Sequence, residues 1–149
     1  MRERIARERS GAAGADANVK TGHGGIVDVE FLVQMLQLRH GHAQPIVRVR
    51  GVREAIAALA RAGLLTQDEA RDLADGHAFL SAVESRLRLD RNQPVDAIDT
   101  DPDALLALAR RLGYGGDDAA ARAALRADHA RHRAAVRAVY ERRFAEAAA

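Results

Sequence analysis

The chain has 149 residues, 48% of them hydrophobic but only 3% aromatic, with 23 Lys plus Arg against 21 Asp plus Glu, no Cys and no Trp. That length fits one domain with a real core, and the lack of Cys excludes a disulfide framework and a thiolate zinc site. Interspersed charges with few aromatics argue against a nucleic-acid binder, and no run has the length of a membrane span or the form of a secretory leader, so a cytoplasmic protein is expected.

Met1 to Arg9 reads as a short leading helix, and the small, polar residues Gly11 to Asn18 as a mobile loop, because nothing there offsets the entropy of ordering. Val19 to Gly25 is a glycine-rich approach to the stretch Ile26 to His40. That stretch carries Ile26, Val27, Val29, Phe31, Leu32, Val33, Met35, Leu36 and Leu38, so it is apolar nearly all the way round. Such a helix belongs at the centre of a bundle. Its exceptions, Glu30, Gln34 and Gln37, recur at four and three residues and share a face that something polar must meet.

Gly41 ends this helix, and a connector with Pro45 leads to a short amphipathic helix over Val52 to Ala62, stopped by Gly63. Thr66-Gln67-Asp68-Glu69 has capping-box spacing and opens a long helix through Leu73, His77, Leu80 and Leu87 to the region of Asp90. Asn92 to Asp99 reads as a loop. Asp101-Pro102 is an N-cap followed by a first-turn proline, opening a helix that stops at Gly113. After Gly115-Gly116-Asp117 the last helix runs to the region of Glu146, with Ala147 to Ala149 fraying. The expected fold class is all-α, a bundle of five to six helices around a central buried helix.

Gly24 and Gly25 at a helix start would leave N–H groups open to an anion, with Lys20 adding a point charge, and phosphate is the natural candidate. The same glycines equally permit a tight turn against a neighbouring backbone. This is not a P-loop, because Lys20 precedes the glycines and no strand does. Asp28 and Glu30 stand about 200° apart round a helix and cannot jointly hold one ion. Asp28 suits the positive end of the helix dipole, and Glu30 is either a buried hydrogen-bonded group or the head of a functional polar face. His129 and His132 share a helix face and His40 and His42 flank a turn, without further metal ligands nearby in sequence. Neither a catalytic residue nor a metal ligand is expected within the chain.

The fifteen residues from Lys20 to Gln34 closely resemble the K-x-G-x-G-G-I-x-D-I-E-F-x-V-Q signature of the glutamine synthetase adenylyltransferases. Weaker likenesses flank it in Met1-Arg2 with Arg7-Glu8, in Ala62 to Leu65, in Leu108 to Tyr114, and in Phe79 to Leu87, where Ser81 stands in place of an expected Arg. The resemblance implies a helical bundle domain over residues 19–149, behind the leading segment 1–18, in a fragment of a larger multidomain enzyme. One half of that enzyme transfers AMP from ATP to a tyrosine of glutamine synthetase, and the other removes it by phosphorolysis. ATP and Mg2+ are implied for the full-length enzyme and none for the fragment alone, because the acidic motif of the catalytic sheet domain is missing here. The implied partners are the enzyme's own nucleotidyltransferase domain, glutamine synthetase and the PII signal protein, with no nucleic acid or membrane. Lys20, Gly22, Gly24, Gly25, Asp28, Glu30 and Gln34 are the implied nucleotide-binding, substrate-binding or domain-interface residues. Asp28-Val29-Glu30 resembles the C-terminal transferase half. Two alternatives stay open: the helical domain of the uridylyltransferase that modifies PII, and a non-enzymatic regulatory protein-binding module.

Overall fold

The computed structural model describes residues 18–91 and 97–148, so the expected leading helix, nearly all of the Gly11 to Asn18 loop and the Asn92 to Asp96 part of the later loop lie outside the described residues. Among the described residues five α-helices follow one another: α1 (Ile26–His40), α2 (Val52–Arg61), α3 (Gln67–Arg91), α4 (Pro102–Arg111) and α5 (Asp118–Ala148), with a 3-10 turn at Pro45–Val47. Among the described residues there is no strand, only an isolated antiparallel bridge between Asn18 and Ala97. The fold is an all-α bundle.

The helix starts follow from local chemistry. Thr66 Oγ1 accepts the Glu69 N–H at 3.2 Å and Glu69 Oε2 accepts the Thr66 N–H at 2.9 Å, closing the capping box of α3. Asp101 and Asp117 cap α4 and α5 by accepting the N–H groups of Ala104 and Ala120 at 2.9 and 2.8 Å. At its other end α5 continues to Ala148, and Ala147 lines a cleft with Met35 and Leu36 of α1.

The long helices α3 and α5 pack most extensively on each other, and a Cβ added at Gly76 of α3 would fall 2.5 Å from Val136 Cγ2 of α5. Apolar side chains gather in two clusters along this pair. Val29, Leu32, Val33 and Leu36 of α1 pack with Ile56, Leu59, Leu73, Val136 and Val139. Val19 and Ile26 pack with Leu80, Val83, Leu105, Leu108 and Leu125. The expected centrality of α1 holds on its inner face, which meets α2, α3 and α5. It does not extend all the way round: Phe31 is 39% and Leu38 86% exposed. The apolar content of α1 exceeds what its three neighbours can cover.

Candidate functional site

The turn ahead of α1 is organised by Asn18, which is 8% exposed and which the composition assigned to the end of a mobile loop. Its Oδ1 accepts the N–H groups of Lys20 at 3.0 Å and Thr21 at 2.8 Å, and its carbonyl accepts the Gly22 N–H at 3.1 Å. An Asn two and three residues ahead of the bonded amides is the Asx-turn pattern, a signal that was present in the sequence. The N–H groups of Ile26 and Val27 then bond back to the carbonyls of Val19 and Lys20 at 3.1 and 3.0 Å. The first turn of α1 thus draws its partners from the loop backbone and uses no side-chain cap at Gly25.

Both glycines that were expected to aim N–H groups outward use them inside the fold. Gly25 donates to the Gly22 carbonyl at 2.9 Å, and Gly24 donates to Asp28 Oδ2 at 2.6 Å. In this conformation the backbone of the turn is not an open phosphate cradle. Close approach explains the glycines instead. A Cβ at Gly25 would lie 2.7 Å from the Lys20 carbonyl oxygen, and Gly24 has φ +72 and abuts the backbone of Arg133 on α5. Arg133 Nε also donates to the His23 carbonyl at 2.9 Å, so the turn is docked on α5.

Asp28 is fully buried and lies 3.8 Å from Arg137 Nη1 of α5. It therefore ties turn, helix start and α5 together, a larger role than dipole complementation alone. Lys20 reaches the other way: its Nζ lies 3.6 Å from Glu84 Oε1 of α3, which Arg88 also contacts at 2.7 Å. Two turns before Glu84 on α3 stands half-buried His77. Burial pushes this imidazole below its usual range, Glu30 opposes that, Arg53 reinforces it and Glu84 opposes it. Half-buried Ser81 lies between His77 and Glu84 at helical spacing. Lys20 thus ties the glycine turn to Glu84 of α3, and the charges of Glu30 and Glu84 both act on the His77 imidazole.

The expected polar face of α1 divides. The charge of Glu30 acts on the His77 imidazole of α3, whereas Gln37 donates to the carbonyls of Val47 and Val49 at 2.7 and 3.0 Å and holds the connector down. Gln34 is exposed and stands in an open groove near Leu38. Among the described residues no three His, Asp or Glu groups converge to hold a metal ion, and Asp28 is turned towards Gly24 and Arg137. These residues do not fit Mg2+. Among the described residues no helix is long and apolar enough to cross a membrane.

A family model described as GlnD PII-uridylyltransferase matches residues 1–144. The chain belongs to that family. It is also similar to curated proteins named bifunctional glutamine synthetase adenylyltransferase/adenylyl-removing enzyme. The one from Streptomyces avermitilis is 40% identical over 104 residues, 68% of this chain and 10% of that protein. The Bordetella pertussis protein is 36% identical over 121 residues, 76% of this chain and 13% of that protein. For Bradyrhizobium diazoefficiens the values are 37% over 120 residues, 80% of this chain and 12% of that protein. The chain therefore spans about a tenth of the length of the curated relatives it matches. The resemblance carried by Lys20 to Gln34 is met by these relatives. The GlnD PII-uridylyltransferase family and the relatives differ in the nucleotide named, uridylyl against adenylyl, and agree on nucleotidyl transfer.

Proposed function

We propose that this chain is the helical domain of a bifunctional glutamine synthetase adenylyltransferase, with Lys20 and Glu30 beside the glycine turn facing the enzyme's nucleotidyltransferase domain. The observation that carries this reading is the 35–40% identity to enzymes of that name over 68–80% of the chain. The complete cytoplasmic enzyme would transfer AMP from ATP to a tyrosine of glutamine synthetase and remove it by phosphorolysis, with PII as a signalling partner. ATP and Mg2+ would be held by the catalytic domain. The Asp28-Val29-Glu30 sequence favours the transferase half.

Within that enzyme the turn is a platform. Gly22, Gly24, Gly25 and Asp28 have their polar groups engaged with one another and with α5, so contact with the catalytic domain falls to the side chains of Lys20, Glu30 and Gln34. The Lys20 side chain is one-third exposed, and its ammonium, at 3.6 Å from Glu84, keeps donors to offer a phosphate oxygen. Positioning and charge stabilisation are what such a surface contributes to an in-line phosphoryl-type transfer.

The second reading, the helical domain of a PII uridylyltransferase, is favoured by the family model over residues 1–144. Mass spectrometry of glutamine synthetase and of PII after incubation with the full-length parent enzyme and ATP or UTP separates the two. AMP on a glutamine synthetase tyrosine is expected, and a UMP adduct on PII in its place would establish the second reading. Modification of neither protein would leave the regulatory module.

A further inference from the structure

We propose that Asn18 is a positioning residue for nucleotidyl transfer: its side chain fixes the backbone from which Lys20 reaches towards the nucleotide phosphates. It rests on the proposed contact of Lys20 with a phosphate oxygen. The Asn18 Oδ1 accepts the Lys20 N–H at 3.0 Å and the Thr21 N–H at 2.8 Å. On its other side Lys20 offers its carbonyl to the Val27 N–H of α1 at 3.0 Å. The peptide groups on both sides of the Lys20 α-carbon are therefore bonded, one to Asn18 and one to α1. Together they set the direction in which the side chain leaves the backbone.

Asn18 is itself a firm support. It is 8% exposed, it forms an antiparallel bridge with Ala97, and Val19 beside it is wholly buried. Lys20 thus stands between two residues packed into the fold, Val19 and Thr21. At the far end of the side chain the hold is loose, because 3.6 Å from Nζ to Glu84 Oε1 is too long for a direct hydrogen bond. The backbone, rather than Glu84, decides where the ammonium can go.

Removing the Asn18 acceptor has a definite consequence. Two donors, one buried and one part-buried, lose their partner, and a buried unmet N–H is costly enough that residues 19–21 should turn to find another. Such a turn re-aims the Lys20 side chain while leaving α1 in place. Charge stabilisation of a transferring phosphoryl group depends on placement, and a misplacement of about 1 Å costs on the order of a hundredfold. Asp presents an acceptor at the same reach as Asn, whereas Gln carries the same amide one methylene further out.

The test is steady-state nucleotidyl transfer by the full-length parent enzyme, with ATP varied. The variants are Asn18→Gln, Asn18→Asp, Lys20→Ala and the combination of Asn18→Gln with Lys20→Ala, each checked by circular dichroism. Asn18→Gln should lower kcat/KM for ATP about tenfold with an unchanged helical spectrum, and Asn18→Asp should stay within about threefold of the wild type. In the Lys20→Ala background Asn18→Gln should add less than about a twofold loss, because the charge it aims is already gone. Losses that multiply, equal losses in the Asp and Gln variants, or a weakened helical spectrum in Asn18→Gln would make Asn18 a structural residue and overturn the proposal. Wild-type turnover of Asn18→Gln beside an impaired Lys20→Ala overturns it alone and leaves the functional reading of Lys20 standing. Wild-type turnover of Lys20→Ala, or a parent enzyme that transfers no nucleotide, overturns both. If the parent enzyme transfers UMP to PII and not AMP to glutamine synthetase, the adenylyl reading fails, and the same cycle with UTP decides for or against Asn18 by the same outcomes.

Discussion

Gly24 lies so close to Arg133 that a Cβ on it would fall 2.1 Å from the Arg133 carbonyl oxygen, although the two residues are far apart in the sequence. Space and backbone conformation both demand glycine there, since its φ is +72. Gly63 has nearly the same φ, +73, but nothing within 4 Å of its would-be Cβ. Gly63→Ala should therefore cost only the left-handed strain, about 1 kcal/mol, whereas Gly24→Ala should cost about 2–4 kcal/mol as the turn lifts from α5. Urea unfolding of the two variants measures the difference, and equal losses would mean that the turn yields freely.

Glu69 joins a capping box to an interhelical clamp. Besides Thr66 it bonds Arg142 Nη1 at 3.0 Å and Arg143 Nε at 3.1 Å, with a further contact to Arg143 Nη2, while being only 3% exposed itself. Burial acts to raise its carboxyl, but Arg143 and the Thr66 N–H outweigh burial and hold it below its ordinary 4.5. With the folded value depressed, the stabilisation is complete above about 4.5 and is lost as pH falls through the folded value. Glu69→Gln should cost about 1–3 kcal/mol at pH 7 and flatten the acid limb of the stability curve below pH 4.5. Thermal denaturation followed across pH 2 to 7 reads both effects.

His129 acts in the same direction over a different range. Burial first, then Arg133 and His132, push it down to about 4, and its Nε2 has no hydrogen-bond partner among the described residues. Between pH 6.5 and about 4 the unfolded chain takes up a proton that the folded imidazole refuses, so stability falls on acidification across that window. Replacing the ring by an aliphatic side chain, His129→Leu, should make that slope shallower while leaving the helical spectrum intact. An unchanged slope in chemical denaturation at pH 4, 5, 6 and 7 would show that the ring is freely hydrated.

Lys20 offers the most direct functional test. Its contact with Glu84 is long and part-exposed, so Lys20→Ala should change folding stability by less than about 1 kcal/mol. Loss of a charge-assisted contact to phosphate should nevertheless lower nucleotidyl transfer by the full-length enzyme about tenfold to a hundredfold. Steady-state kinetics with varied ATP, together with circular dichroism, separates the two. Wild-type turnover in a folded variant would leave Lys20 with only its link to α3.

The helix starts of α3, α4 and α5 could be read from Thr66-x-x-Glu69, Asp101-Pro102 and Asp117, because a cap is a contact between residues three apart and needs nothing from the rest of the chain. The all-α class and the family resemblance of Lys20 to Gln34 were legible for a related reason: composition, helical spacing and a contiguous pattern are properties of the string. The fates of Glu30, Gln34 and Gln37 were not. Spacing placed them on one side of α1, but whether each meets α3, open solvent or the connector depends on which distant segment covers that turn of the helix. Periodicity likewise could not tell exposed Leu38 from buried Leu36, since hydrophobicity reports a preference for burial and only the neighbouring helices supply the cover. Tertiary structure also gave the glycine turn its meaning. Asp28, Arg133 and Arg137 engage it from α1 and α5, and two of these three lie more than a hundred residues further along the chain, a separation that no local pattern encodes.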